Sequence, residues 1–224
     1  MARQRFLDRK DAGARLVKAL AGMALEADAV VLGLPRGGVP VGEEIARRLN
    51  LQLDFLNIRK MGVPWQPEVA MGAVGEDGIP HLNSELVESL AITPDQIRAI
   101  RDQEMTVIRH RKILYRRHTA AAVIQGRQVI LVDDGLATGS TMDLAIEIVK
   151  KAGARSVIVA LPVAPAGTVS RYEDIVDHCV CLQERNDFGY VGRWYSDFNP
   201  VSDDQVCESL DLAPREPGVT SGNR

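Results

Sequence analysis

The stretch Val129-Ile-Leu-Val-Asp-Asp-Gly-Leu-Ala-Thr-Gly-Ser-Thr-Met142 constrains the fold more than any other part of this 224-residue chain. Four consecutive apolar residues, Val129 to Val132, suit a strand buried on both faces, as in a parallel sheet. Two adjacent carboxylates, Asp133 and Asp134, follow at its carboxyl end. Next come a loop of small and hydroxylated residues, Ala137 to Thr141, and a helical pattern from about Met142 to Ala152. The backbone N–H groups and hydroxyls of such a loop, backed by a helix N-terminus, can hold a phosphate. The carboxylates beside it can accept hydrogen bonds from hydroxyls or face a metal ion. The competing reading is an ordinary strand–helix loop with a fortuitous acidic pair.

A second loop has the same logic. Ala29 to Leu34 reads as a strand ending in Pro35-Arg36-Gly37-Gly38-Val39-Pro40, ahead of a helix over about Val41 to Leu49. Adjacent glycines let a ligand come close to the main chain, so this turn could hold a second anion. Arg36 is either a solvated turn residue or an anion contact, for which its planar donor fork is suited. Leu51 to Ile58 reads as another strand, ending in Arg59-Lys60: a surface cap or part of an anion site. Strands at Ser156 to Leu161 and Ile175 to Leu182 flank a short helix, Ala166 to Tyr172. This alternation implies right-handed βαβ units, an α/β fold with a Rossmann-like parallel sheet flanked by helices. No glycine-rich dinucleotide fingerprint and no Gly-Lys-Ser/Thr phosphate loop occurs.

The remainder is less regular. Asp8 and Asp11 suggest the start of a helix over Ala12 to Leu25. The Gly- and Pro-rich interval Met61 to Gly78 could contain a hairpin pairing Val69–Val74 with Ile79–Leu82. Helices are predicted over Asn83–Leu90 and Pro94–His118, the second capped by Thr93; together they form a helical insertion at about 83–118. Its later half carries Arg109, Arg111, Lys112, Arg116 and Arg117, either a solvated face, a flank of the phosphate site or a seat for a polyanionic effector. Asn186 to Phe198 concentrates aromatics in a chain poor in them, as a stacking platform for a base or a cluster sealing the sheet edge. A single domain over 1–212 and a disordered tail over 213–224 are expected. The net charge of −3 gives no reason to expect nucleic-acid binding. Three cysteines make no disulfide framework, and Cys179 and Cys181 should share one face of a strand. No run is long and apolar enough to span a membrane, and the first residues lack a signal-peptide core, so a cytoplasmic location is expected.

The acidic block resembles the 5-phosphoribosyl 1-pyrophosphate (PRPP) signature of the type I phosphoribosyltransferases: four apolar residues, two acidic, then a Thr-Gly-x-Thr loop. The run Gly33 to Leu49 resembles the pyrophosphate loop of the xanthine–guanine branch. The whole is similar to stand-alone bacterial phosphoribosyltransferases whose acceptor is unassigned. The resemblance implies the type I fold with a small hood. The implied reaction is transfer of a 5-phosphoribosyl group from PRPP to a nitrogen acceptor such as a nucleobase, with release of pyrophosphate. By the same resemblance, Asp133 and Asp134 would hold the ribose hydroxyls and meet Mg2+, directly or through PRPP. Ala137, Thr138, Gly139, Ser140 and Thr141 would take the 5′-phosphate. Arg36, Gly37, Gly38, Arg59 and Lys60 would hold pyrophosphate, and Tyr190, Val191 and Trp194 the base. It further implies a flexible lid within Met61–Gly78, a homodimer, and a small-molecule acceptor in nucleotide metabolism. One departure stands out. Enzymes of 6-oxopurines carry an acidic residue where this chain has Ala137, which instead resembles the adenine-type loop. Two other functions remain compatible: a non-catalytic regulator that binds PRPP or a nucleotide, and a hydrolase or phosphotransferase acting on a phosphorylated sugar.

Overall fold

The structure, a computed structural model, describes residues 5–214. Its framework is a parallel sheet of β1 (Val30–Gly33), β2 (Gln52–Phe55), β6 (Gln128–Val132), β7 (Ser156–Pro165) and β8 (His178–Arg185), in the order β2-β1-β6-β7-β8. The chain steps outward from β1 to β2, then crosses back to β6 and continues the other way. Strand order therefore reverses between β1 and β6, which opens a crevice at their carboxyl ends. These two strands run in register from Val30↔Val129 to Gly33↔Val132, so their following loops start at the same level. The Leu34 amide, donating to the Val132 carbonyl at 2.9 Å, carries the pairing one step further.

The apolar runs are buried on both faces, as a central parallel strand requires. Val31, Ile130 and Ile158 pack against Leu16 and Leu20 of α1 (Arg9–Leu20), Val41 and Ile45 of α2 (Gly38–Leu49), and Val206 and Leu210 of α7 (Asp203–Leu212). Val30, Leu32, Val129, Leu131, Val157 and Val159 face Leu144, Ala145 and Val149 of α5 (Ser140–Lys151) and Tyr172 of α6 (Thr168–Glu173). Each such aliphatic side chain contributes about 1.5–3 kcal/mol relative to exposure, which makes this bilayer the main source of stability. Cys179 and Cys181 lie against the second face, as their spacing predicts.

Several boundaries differ from expectation. Helix α1 stops at Leu20, five residues early, because the backbone turns at Ala21–Met23. Helix α2 begins at Gly38 inside the glycine turn. Strand β7 runs on to Pro165, past Pro162, where β6 has already ended at Val132↔Ala160 and only β8 pairs with it. A residue without an N–H is tolerated on the side of a strand that has no partner. Helix α7 was not predicted; Ser202 and Gln205 cap it reciprocally.

Residues 59–115 form a hood between β2 and β6. Strands β3 (Arg59–Val63), β4 (Gln66–Val74) and β5 (Pro80–Leu82) make an antiparallel sheet, and the expected hairpin is present as Gly72↔Leu82 through Val74↔Pro80. Helices α3 (Ser84–Ser89) and α4 (Pro94–Tyr115) cover it. The reading of Met61–Gly78 as a flexible lid is corrected: Met61, Val63, Met71 and Val74 form a core of their own with Ile92, Met105 and Ile108. The tail expected to be disordered begins with a buried residue, Ala213, packed on the main core; residues 215–224 lie outside the described residues.

Candidate active site

Both sequence-predicted loops leave the sheet at its crevice and touch. A Cβ placed on Gly37 would lie 1.9 Å from Asp134 Oδ2, and one on Gly38 would lie 2.4 Å from the Val132 carbonyl oxygen. Glycine is required at both places because no larger residue leaves room for the acidic loop. The Pro35–Arg36 peptide is cis. Arg36 stands at the tip of this turn, half-buried, with no side-chain hydrogen bond or ion pair among the described residues.

The acidic pair is held asymmetrically. Asp133 Oδ1 accepts from the Asp134 amide at 2.8 Å, which curls the first carboxylate back over its own loop. Asp134 Oδ2 accepts from Arg9 Nε at 2.8 Å, and the Asp134 carbonyl accepts from the Tyr195 hydroxyl at 2.5 Å. Arg9 also donates to the Asn199 carbonyl at 2.9 Å and lies 4.0 Å above the Phe198 ring. Behind it, Phe6 bridges Tyr195, with the Phe6 amide donating to Trp194 O and the Ser196 amide donating to Phe6 O. Two segments from far apart in the chain thus clasp behind one aspartate. Sequence reading missed both Arg9 and Tyr195, since neither belongs to a local motif.

Burial, then the Asp134 charge beside it, push the Asp133 carboxyl well above the usual carboxylate range. Burial also raises Asp134, with Arg9 pulling it back. Of the two, Asp134 carries an ion pair and Asp133 has none among the described residues.

Past the acids, Leu136 donates from its amide to the Val163 carbonyl at 3.0 Å, so the extended end of β7 supports the loop. Ala137 and Thr138 are exposed. Gly139, at φ 87°, precedes α5 with no side chain capping the helix, so the first-turn amides of a twelve-residue helix face the loop uncapped. A Cβ on Gly139 would strike Arg171 Nη1 at 2.7 Å and the Tyr172 hydroxyl at 3.0 Å. Arg171 in turn donates to Thr138 O and to Asp143, and Tyr172 donates to Asp143 at 2.8 Å. Helix α6 therefore braces the Thr138–Gly139 loop and the first turn of α5.

The other expected contacts are sorted unevenly. Val191 packs on the acidic loop, its Cγ1 being 2.6 Å from where a Gly135 Cβ would stand. Tyr190 beside it is 68% exposed. Trp194 is corrected as a base platform: it is 1% exposed, donates to Phe188 O at 2.9 Å, and has Arg185 over its ring at 4.4 Å. Arg59 and Lys60 open β3 and are engaged within the hood. Arg59 pairs with Glu104 at 2.6 Å, and Lys60 Nζ lies 3.3 Å from the Glu68 carbonyl. Both line a cavity of about 590 Å³ between the hood sheet and α4.

A parallel sheet whose glycine turn and acidic loop meet at its strand-order reversal defines a doubly wound α/β protein with its crevice at that point. The chain belongs to the phosphoribosyl transferase domain family, which it matches over residues 6–195. It is 41% identical over 211 residues to the Mycobacterium tuberculosis protein "Putative phosphoribosyl transferase Rv0571c", covering 94% of this chain and 47% of that one. The chain thus spans about half the length of the curated relatives it matches. It is also similar to the crystal structure of TT1426 from Thermus thermophilus, with 43% identity, a TM-score of 0.76, and coverage of 92% of this chain and 98% of that one. No helix among the described residues is long and apolar enough to cross a membrane.

Proposed function

We propose that this chain transfers a 5-phosphoribosyl group from PRPP to a nitrogen acceptor and releases pyrophosphate. The observation that supports the reading is the close approach of Gly37 to Asp134, where the Pro35–Gly38 turn meets the acidic pair that leads into the Ala137–Thr141 loop. PRPP needs all three: a 5′-phosphate, vicinal ribose hydroxyls and a pyrophosphate at C1. In the reaction the C1–O bond breaks with its electron pair leaving on pyrophosphate. The acceptor nitrogen forms the C1–N bond with its lone pair and loses a proton.

Each part has a task in that step. Thr138 to Thr141 hold the 5′-phosphate and so position C1 without touching it. Asp133 accepts from the ribose hydroxyls, and its negative charge favours the cationic ring that forms as the leaving group departs. Asp134, locked by Arg9, fixes the distance between the acidic loop and the pyrophosphate turn. Arg36 neutralises the leaving group. Val191 covers the acceptor side. Among the described residues no group of three or more His, Cys, Asp or Glu could cage a metal. The hard oxygens of Asp133 suit magnesium, which is held by one or two carboxylates together with substrate phosphates. When bound, the ion would offset charge on the departing pyrophosphate. Ala137 leaves the acceptor side without a carboxylate base, so the acceptor class stays open between a nucleobase and another amine.

The test is pyrophosphate release on adding magnesium and PRPP with a panel of nucleobases and amines, for the native chain and Asp133→Asn. Acceptor-dependent release that Asp133→Asn reduces by at least about 100-fold is expected. Binding without turnover would make the chain a regulator, and release needing no acceptor would make it a hydrolase.

A further inference from the structure

Helix α6 is short, yet it is fixed at its start. Thr168 Oγ1 donates to the Pro165 carbonyl at 2.7 Å, and the Val169 amide donates to Glu184 Oε1 at 2.9 Å, which ties the helix to the ends of β7 and β8. Tyr172 is fully buried in the sheet core and donates to Asp143 Oδ1 at 2.8 Å. Burial, and then that hydrogen bond, raise the Tyr172 hydroxyl above its usual range, so it stays a donor. Arg171 beside it is half-exposed and divides its guanidinium between two partners. Nη1 donates to the Thr138 carbonyl at 3.3 Å, and Nη2 donates to Asp143 Oδ2 at 2.6 Å.

The first of these bonds sets a peptide plane. The Thr138–Gly139 peptide is trans. In a trans peptide the C=O and N–H point opposite ways, so a carbonyl held on α6 turns the Gly139 amide away from α6. Gly139 is left-handed, at φ 87° and ψ −14°, and Ser140 opens the right-handed α5. That succession turns the amides of Gly139, Ser140 and Thr141 towards one concavity suited to an anion. The second bond acts on charge. Asp143 lies in the first turn of α5, where its amide donates to the Gly139 carbonyl at 2.8 Å. Its carboxylate opposes any phosphate at the same helix end, and Arg171 is the ion-pair partner that offsets it.

We propose that Arg171 of α6 is a positioning residue for the 5′-phosphate. It turns the Gly139 amide into the phosphate loop and cancels the Asp143 charge, so that the loop takes a doubly charged phosphate monoester. The inference rests on the PRPP reading above and adds to it a residue about thirty positions beyond the acidic block. The same contacts hold the loop in its binding shape before a phosphate arrives, which lowers the ordering cost of binding.

The experiment is calorimetry on the whole chain, native and with Arg171→Gln, Arg171→Lys, or Arg171→Gln joined to Asp143→Asn. Ribose 5-phosphate and magnesium pyrophosphate serve as separate probes. Arg171→Gln should weaken ribose 5-phosphate on the order of 10-fold, as one charge-assisted contact is lost, and leave pyrophosphate unchanged. Arg171→Lys should recover part of the affinity, because the charge returns without the planar fork. Adding Asp143→Asn to Arg171→Gln should also recover part of it, because the opposing carboxylate has gone. Equal ribose 5-phosphate affinity in native and Arg171→Gln chains would overturn the inference, as would both probes weakened alike with a lowered melting temperature. A double variant no tighter than Arg171→Gln would remove the charge half of it. If the native chain binds ribose 5-phosphate through Arg171 but neither binds pyrophosphate nor turns over PRPP, the transferase reading fails and the positioning role stands. No binding of ribose 5-phosphate by the native chain would overturn both.

Discussion

Arg9 and Asp134 form an ion pair that ties the first helix to the acidic loop. Their side chains are 12% and 14% exposed, so the pair is largely withdrawn from water. Removing one member leaves the other charged and poorly solvated, which costs about 3–5 kcal/mol for a fully buried pair. Arg9→Met and Asp134→Asn should therefore each lower stability towards that range, and the double variant should be less destabilised than their sum. Urea denaturation of the four chains of the cycle measures the coupling. Additive losses would show that Arg9 is held by Phe198 and Asn199 alone. At this scale Asp133, Asp134, Gly37 and Gly38 stood out as two short motifs, each local in sequence, and the structure brings the two together. Arg9 and Tyr195 did not, because their contacts are with a residue more than fifty positions away.

Helices and strands here are set by local chemistry where they can be and by packing where they cannot. Thr93 and Gln96 cap α4 reciprocally, with the Gln96 amide donating to Thr93 Oγ1 at 3.3 Å and Thr93 N donating to Gln96 Oε1 at 2.9 Å. Thr93→Ala should cost about 1 kcal/mol, read as a lower melting temperature. The loss should fall on the hood, with faster amide exchange in α4 than in α2. Uniform acceleration across the chain would show that hood and sheet unfold as one unit. The same capping pattern at Ser202-x-x-Gln205 was present in the sequence and overlooked, which hid α7. Strand β3 of the hood sheet was hidden differently. Gly62, Pro64, Pro67 and Gly72 signal a loop, yet the apolar positions around them cover one face of α4. Trp194 was misread because a large ring among glycines suits a stacking surface and a sealed core equally, and only its neighbours distinguish the two.

For the whole molecule, the order of the five sheet strands already implies where a ligand goes, and the parallel α/β class was legible from alternating strands and helices. The cost of that site appears in the dependence of stability on pH. Asp133 binds its proton more tightly folded than unfolded. The native state therefore holds more protons than the unfolded state between the two pKa values, and the slope of unfolding free energy with pH is negative there. Stability of the ligand-free chain should accordingly fall as pH rises from the ordinary carboxylate range, near pH 4, through the raised folded value. Asp133→Asn should flatten that fall. Denaturation midpoints across pH 4–8 for both chains check this, and a native profile no steeper than the variant's would contradict it.

The clasp of Phe6 with Tyr195 has a consequence for synthesis. The acidic pair is translated long before Tyr195, yet the two hydrogen bonds that hold Asp134 need one residue from each end of the matched span. A ribosome-bound chain can build β1, β6 and α5 and still lack a finished pocket. A finished crevice thus waits until the second half of the clasp has emerged, about sixty residues after the acidic pair.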